Sequence, residues 1–200
     1  PSRAGLSSAM GDIGTHAENL AGYITGLEMQ ELFADLDVMV DGRLLDDDGA
    51  VLIHYEGGVR GILYASQISV GEENNLRIRV YGSEASIDWS QEHPNWLYYR
   101  FHEQPTQILK RGNPYLDPIA GHNTRIPWGH PEAFLEAFAN VYRNAGRTIA
   151  ARISGKDPQP YDLDFPTVQD GARGVHFVTS VVESSKRREW LDVTYQPPGA

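Results

Sequence analysis

The stretch VLIHYEGGVRGILYASQISV, residues 51–70, decides the fold class of this chain. Two runs rich in β-branched, aromatic and aliphatic residues flank the pair Gly57 and Gly58. Glycine at both central positions suits the primed turn between antiparallel strands, because that turn needs positive φ angles. The stretch therefore predicts a β-hairpin and an antiparallel sheet around it.

Further strands are predicted on both sides of this hairpin. From Leu32 to Val40, apolar residues alternate with mostly polar ones, which is typical of a half-buried strand. Other short β-rich runs lie between turn residues, at 76–81, 85–90, 95–101, 106–111 and 189–193. The run before residue 112 is expected to comprise about six or seven mostly antiparallel strands, and residues 189–193 form a final short strand.

Helical periodicity indicates a first helix from Ile13 to Ile24, with Gly26 at its end. Asp12 is placed to act as the N-cap of this helix. A second helix is predicted over 130–154, with Pro131 in its first turn. Its core-facing stripe is expected to comprise Phe134, Phe138, Val141, Tyr142, Ala145 and Ile149.

A third helix is predicted over 166–187, and its buried positions are expected to be Val168, Ala172, Val175, Thr179 and Val182. Together these elements predict an α+β fold in a single domain, residues 1–200. Its open, mostly antiparallel sheet carries helices on one face, in two layers. Apolar residues on both sides of several strands predict a second copy of the chain on the other face, and so a homo-oligomer.

Composition excludes several function classes. The net charge is −10 and the pI is near 5.1, which argues against nucleic-acid binding. No apolar stretch approaches the roughly 20 residues of a membrane span. The chain has no cysteine, which agrees with a reducing cytoplasm, where we expect it to work. It begins with Pro1, and we expect it to be part of a longer protein.

Motifs for cofactors and metals are missing from the sequence. It has no G-x-G-x-x-G turn after a strand, no phosphate loop, no H-E-x-x-H and no C-x-x-C pair. We therefore predict no cofactor-binding and no metal-binding residues in this chain. The acidic run from Asp46 to Asp48 is interpreted as a solvated turn rather than a metal site.

One pair of residues suggests chemistry. Asp12 and His16 lie four positions apart in GDIGTHAENL, residues 11–20. Histidine titrates near neutral pH and can take and return a proton, while an aspartate one turn away can orient the ring or raise its pKa. The alternatives are a helix cap for Asp12 and a packed ring for His16, and the spacing alone leaves both open.

A second candidate region is the long loop 112–129 and the start of the helix that follows it. His130, at the loop-to-helix junction, can point into a pocket or simply pack. Arg125 and Trp128 can border a sugar, since guanidinium donors and aromatic faces suit hydroxyl-rich ligands. The alternative is a loop anchored by a buried Trp128. The remaining histidines receive no role.

Four stretches, in order, resemble the second domain of the glucose–fructose oxidoreductase / inositol dehydrogenase / MocA family. They cover nearly all of the chain: GDIGTHAENLAGYITG (11–26) with its D-x-G-x-H helix start, VLIHYEGGVRGILYASQ (51–67), LRIRVYGSEASIDW (76–89), and the late helices GHPEAFLEAFANVYRNA (129–145) and DFPTVQDGARGVHFVTSVVESS (164–185).

This resemblance implies an NAD- or NADP-dependent oxidoreductase acting on a sugar, a polyol or a related hydroxyl compound. The family's Rossmann domain, which binds the cofactor and carries a lysine in an E-K-P motif, has no counterpart in these 200 residues. The resemblance makes His16 the acid/base and Asp12 its partner, with His130, Arg125 and Trp128 as candidate substrate contacts. We expect the isolated chain to bind no cofactor and to be inactive.

Two other classes of function stay open at this point. The chain could be a free-standing module that binds a small polyol or serves as an oligomerisation scaffold. It could also be a cofactor-free lyase or isomerase that uses Asp12 and His16 for proton transfer next to a carbonyl.

Overall fold

A computed structural model describes residues 5–197. The predicted α+β class with open antiparallel sheets is confirmed. The strands are divided between two four-stranded sheets, and the chain forms two compact units. Unit 1 comprises the residues up to Glu73 together with those from Thr167 onward, and unit 2 comprises Asn74–Pro166.

Unit 1 contains one sheet in which all neighbouring strands are antiparallel; its first three strands lie side by side in chain order, and the short strand near residue 191 pairs with the first. Two helices belong to the same unit, and a π-helical turn leads directly into the first of them. The elements are the π turn Met10–Gly14, α1 Thr15–Thr25, β1 Met29–Asp37, β2 Asp48–Tyr55, β3 Arg60–Ser66, α4 Val168–Arg187 and β8 Leu191–Asp192.

The hairpin between β2 and β3 is confirmed. Gly57 and Gly58 have φ angles of 68° and 81°, the left-handed region that the turn was expected to require. Val51 lies opposite Leu63 in the register, and both are buried. The first strand ends at Asp37, earlier than predicted, and residues 38–40 are exposed.

The core of unit 1 lies between α4 and the sheet. Phe177 and Val181 of α4 are fully buried in the same cluster as Leu32, Val51 and Ile53. The predicted face of α4 was wrong in part: Val182 is buried as expected, but Val168 and Val175 are 83% and 69% exposed. The helix is rotated so that the Ser184 hydroxyl accepts a hydrogen bond from the Ala34 N–H at 3.0 Å, which satisfies a buried backbone donor.

Unit 2 contains the second sheet, a simple meander with strand order β4-β5-β6-β7. A long loop with one helical turn follows it, and then a 20-residue helix. The elements are β4 Arg77–Tyr81, β5 Ala85–Ser90, β6 Trp96–Phe101, β7 Gln107–Lys110, α2 Pro118–His122, α3 Phe134–Ile153 and a 3₁₀ turn, Pro160–Leu163.

Helix α3 forms where it was expected, but its predicted buried face was wrong. The buried residues are Asn140, Asn144 and Thr148, which recur every four positions. Their side chains satisfy polar groups of neighbouring segments: Asn144 donates to the Asp164 carbonyl at 3.0 Å, and Thr148 to the Asp162 carbonyl at 2.8 Å. Most of the predicted apolar stripe is exposed instead: Phe134, Phe138, Val141, Tyr142 and Ile149.

Pro131 also lies outside α3, which begins at Phe134 after Ala133 as N-cap. The Glu136 carboxylate accepts the Ala133 N–H at 3.0 Å and so fixes this start. In residues 5–197, no helix is both long enough and apolar enough to cross a membrane.

Candidate functional site

Asp12 and His16 lie on the first turns of the N-terminal helical segment. Both side chains are exposed, and within residues 5–197 neither forms a hydrogen bond or ion pair. Asp12 is not the N-cap, because its own N–H already donates to the Ser8 carbonyl at 2.9 Å, inside the helical segment. The Asp12 carboxylate therefore does not cap the helix. Asp12 lies in a π-helical turn, and such turns are frequent at functional sites.

The cap of this helical segment comes from a distant residue, Asp46. Its carboxylate accepts hydrogen bonds from the Ser7 hydroxyl at 2.9 Å, the Ser8 N–H at 2.9 Å and the Met10 N–H at 3.1 Å. Its carbonyl accepts the Ala9 N–H at 3.1 Å. Asp46 is only 7% exposed, so the turn that carries Asp12 is held by a buried, charge-assisted clamp.

The interpretation of residues 46–48 as a solvated turn was therefore wrong. Asp47 is fully buried and accepts the N–H groups of Met39 at 2.8 Å and Val40 at 3.0 Å. The Met39 hydrogen bond, helped by those from Val40 and Arg43, lowers the pKa of the Asp47 carboxyl below its ordinary value, although burial opposes this. Both aspartates act as backbone acceptors, which an acidic tripeptide in the sequence does not reveal.

The glycine of the D-x-G-x-H pattern has a packing reason. Gly14 is buried, and a Cβ there would lie 2.8 Å from the Sδ of Met10. Met10 is itself fully buried, and its Cε lies 2.8 Å from the position of a Cβ on Gly49. Small residues at 14 and 49 let Met10 fill the space beneath the π turn, which fixes the backbone between Asp12 and His16.

Sequence reasoning missed Glu18, which lies two residues after His16. It lines a small cavity of about 40 Å³ with Tyr55, Arg173 and His176. Burial raises the pKa of Glu18 to about 7, while the nearby charge of Arg173 opposes that rise. Burial also raises the pKa of Tyr55 to about 12. No local signal separates Glu18 from an ordinary helix-surface glutamate, because its burial comes from α4 and β2.

In unit 2, the structure brings together two of the three predicted substrate contacts. Trp128 and His130 line one cavity of about 700 Å³, whereas Arg125 is not among its lining residues. The Arg125 Nε donates to the Asn140 side chain at 2.8 Å. Trp128 is 60% exposed, so the idea of a loop anchored by a buried Trp128 was wrong.

Glu132 anchors this loop instead. It is 6% exposed, and its Oε1 accepts the backbone N–H groups of Arg125 at 2.6 Å and Ile126 at 2.5 Å. Arg111 forms an ion pair with the same oxygen at 3.1 Å. The Asn95 side chain connects Arg111 and Glu132. Its Oδ1 accepts hydrogen bonds from the Arg111 Nε at 2.7 Å and from the Glu132 N–H at 3.1 Å. The loop next to the cavity is thereby held in one conformation.

Neither sheet of the described residues is a parallel, Rossmann-type sheet. Both sheets are antiparallel, and residues 5–197 contain no parallel βαβ unit that could present a glycine-rich turn to a pyrophosphate. Residues 5–197 contain no cluster of three or more His, Cys, Asp or Glu side chains able to hold a metal ion.

The chain is similar in sequence to known proteins. Residues 2–88 match the model of the GFO/IDH/MocA C-terminal domain. Over 195 residues the chain is 34% identical to the uncharacterized oxidoreductase YfiI of Bacillus subtilis (strain 168), and the alignment covers 96% of this chain and 50% of YfiI. The chain spans about half the length of the curated relatives that it matches.

The chain is also similar to solved structures of longer proteins. An oxidoreductase from Sinorhizobium meliloti is similar with a TM-score of 0.87 and 42% identity, over 92% of this chain and 52% of that one. An inositol dehydrogenase homolog from Azotobacter vinelandii, complexed with NADH and myo-inositol, is similar with a TM-score of 0.85 and 34% identity, over 95% of this chain and 51% of that one.

Proposed function

Because the chain belongs to the GFO/IDH/MocA C-terminal domain family, we propose that it is the substrate-binding and proton-transfer part of an NAD- or NADP-dependent oxidoreductase. Its substrate is a sugar, a polyol or a related hydroxyl compound. The observation that carries this proposal is the pair Asp12, on the π turn, and His16, at the start of α1. Both side chains are exposed, and a buried carboxylate holds the start of the π turn.

The proposed chemistry assigns one role to each residue of the pair. Oxidation of a carbinol releases a proton from the hydroxyl group, and His16 takes it as general base and returns it in the reverse direction. Asp12 orients the imidazole or binds a neighbouring hydroxyl of the substrate. The nicotinamide, when bound, accepts or gives the hydride. The assignment of Trp128, His130 and Arg125 as substrate contacts stays a prediction.

The cofactor is proposed to bind to a Rossmann domain outside these 200 residues. Support comes from the antiparallel sheets of the described residues and from relatives about twice as long as this chain. We accordingly propose that the chain alone neither binds the cofactor nor turns over substrate. An open sheet face is proposed to carry a homo-oligomer contact, and the cytoplasm is the proposed location.

The test compares two proteins: the 200-residue chain, and the chain joined to the half of YfiI that it does not match. Each is incubated with NAD or NADP and a panel of sugars and polyols that includes myo-inositol, and reduced nicotinamide is followed by absorbance. We expect turnover only in the joined protein. Turnover by the chain without any nicotinamide would support a lyase or isomerase, and ligand binding with no turnover in either protein would support a binding module.

A further inference from the structure

One face of the sheet in unit 2 carries a group of arginine side chains. Residues directly opposite each other on neighbouring strands point to the same face, and so do alternate residues along one strand. Arg79 of β4 lies opposite Asp88 of β5, which lies opposite Tyr98 of β6. We name this surface the arginine face, and it comprises Arg77, Arg79, Tyr81, Asp88, Tyr98 and Arg100.

Asp88 lies at the centre of the arginine face and is only 4% exposed. Its carboxylate accepts hydrogen bonds from the Arg77 Nε at 2.8 Å, the Arg77 Nη2 at 2.6 Å and the Arg100 Nη2 at 3.3 Å. The Arg79 Nε lies 3.9 Å from the same carboxylate. The Arg77 hydrogen bonds, helped by Arg100, lower the pKa of the Asp88 carboxyl below its ordinary value, although burial opposes this. Asp88 is therefore charged at neutral pH.

This cluster keeps a net charge of +2, because one carboxylate faces three guanidinium groups. The bidentate pair with Arg77 already satisfies the carboxylate. The side chains of Arg79 and Arg100 are 50% and 39% exposed, and within residues 5–197 the Arg79 side chain donates no hydrogen bond. Since three like charges held this close repel one another, a further anion on this face would be stabilised.

Tyrosine side chains surround the cluster. Tyr81 is 72% exposed, and the Arg100 guanidinium lies over the Tyr98 ring, 5.4 Å from its centroid. Arginine and tyrosine are enriched among the residues that dominate the binding energy of protein–protein interfaces. The strands form a broad, open surface, which suits a protein segment better than a small molecule that a pocket must enclose.

The charge of the arginine face restricts the class of partner. Nucleic acid extends far beyond such a face and would meet the rest of a chain whose net charge is −10. The arginine face of a second copy would bring the same net charge of +2 and would be repelled. A short protein segment with carboxylates offsets the charge and contacts only this face.

We propose that the arginine face is a docking surface for an acidic segment of another protein. The carboxylates of that segment accept hydrogen bonds from the guanidinium groups of Arg79 and Arg100, while Arg77 stays paired with Asp88. An extended segment with a carboxylate at every second position presents all of them on one side, which matches a flat sheet face. The inference goes beyond the proposed function, because it requires neither the nicotinamide nor His16.

The test is fluorescence anisotropy of the labelled peptide Thr-Glu-Thr-Glu-Thr-Glu-Thr, titrated with the 200-residue chain. An ionic strength of about 0.1 M screens charges more than about 10 Å from the face. The peptide should bind, and its counterpart Thr-Lys-Thr-Lys-Thr-Lys-Thr should not. Arg79→Gln removes one charge without breaking a hydrogen bond and should weaken binding about tenfold, whereas Arg79→Lys should keep most of it.

The control is Arg152→Gln, which removes an exposed arginine of α3 outside the arginine face and should leave binding unchanged. Circular dichroism identifies a variant that fails to fold, and Arg100→Gln then replaces Arg79→Gln. Inorganic phosphate and a short DNA duplex are added as competitors, and sedimentation velocity measures self-association of the chain.

The proposal is overturned if the acidic peptide does not bind, if the lysine peptide binds equally well, or if Arg79→Gln binds like the wild type. Displacement of the peptide by phosphate at equal concentration would assign the face to a small anion instead. Tighter binding of DNA would assign it to nucleic acid, and self-association that Arg79→Gln abolishes would assign it to a second copy. Each of these three results also overturns the proposal.

Discussion

Replacement of Asp46 tests whether a buried carboxylate holds the turn that carries Asp12. Asp46→Ala leaves three donors without their acceptor: the Ser7 hydroxyl and the N–H groups of Ser8 and Met10. A buried donor without a partner costs about 1–3 kcal/mol. The Met10 N–H is buried, that of Ser8 can reach water in part, and the Ser7 hydroxyl can rotate, so we expect a loss of about 3–5 kcal/mol.

Asp46→Asn should lower the free energy of unfolding by less than Asp46→Ala, because the amide keeps the shape of the side chain and one acceptor oxygen. We expect it to cost about 1–3 kcal/mol. The control is Asp48→Ala, since among residues 5–197 the Asp48 side chain bonds only the exposed Tyr64 hydroxyl, at 2.7 Å. Urea denaturation gives the free energy of unfolding, and amide exchange over residues 8–16 locates the change. Equal losses in the Asp46 and Asp48 variants, or unchanged exchange in this segment, would refute the clamp.

Three further predictions concern stability. Gly14→Ala should cost about 1–3 kcal/mol in thermal unfolding, because its methyl meets Met10, whereas Gly22→Ala, with open space at its Cβ, should be neutral or stabilising. Burial raises the pKa of Glu18 above its value in the unfolded chain. The favourable contribution of Glu18 to the free energy of unfolding is therefore complete below about pH 4.5 and is lost as the pH rises through about 7. The melting temperature of the wild type should therefore fall between pH 5 and pH 8, and Glu18→Gln should abolish this fall. A fall that persists in Glu18→Gln would contradict the raised pKa of Glu18. Glu132→Gln should speed amide exchange over residues 125–132, because the clamp loses its charge; unaltered exchange there would show that the loop is held by other contacts.

Local chemistry made the β2–β3 hairpin predictable. A tight turn needs positive φ at two adjacent positions, and Gly57 with Gly58 satisfies that need within the sequence itself. The C-terminal end of α1 was predictable for the same reason, since Gly26 is left-handed with a φ of 68°. Both are signals that short stretches of chain carry alone.

The helix faces and the helix start were decided by distant partners. Asn140 and Asn144 are buried because segments more than 15 residues away supply their hydrogen-bond partners, so the apolar stripe on α3 did not identify the inner face. The sequence predicts Asp12 as the N-cap, but the start of the helical segment is held by Asp46, which accepts the Met10 N–H from 36 residues away. Periodicity predicts that a helix exists, and long-range polar partners decide which face it buries.

The candidate site was predictable in part. The spacing and the D-x-G-x-H pattern singled out Asp12 and His16, and the structure adds that both side chains are exposed, Asp12 on the π turn and His16 at the start of α1. The roles of Glu18 and Glu132 depend on burial by other elements, which no local pattern records.

The central claim is that His16 transfers the proton, and one measurement tests it most directly. In the chain joined to a Rossmann domain, kcat for nicotinamide reduction is compared between wild type, His16→Ala and the control His102→Ala, whose side chain is 89% exposed in wild type. We predict that His16→Ala lowers kcat by about 10²–10⁴-fold with an unchanged melting temperature, while His102→Ala keeps full activity. A His16→Ala protein that is folded and fully active would contradict the claim.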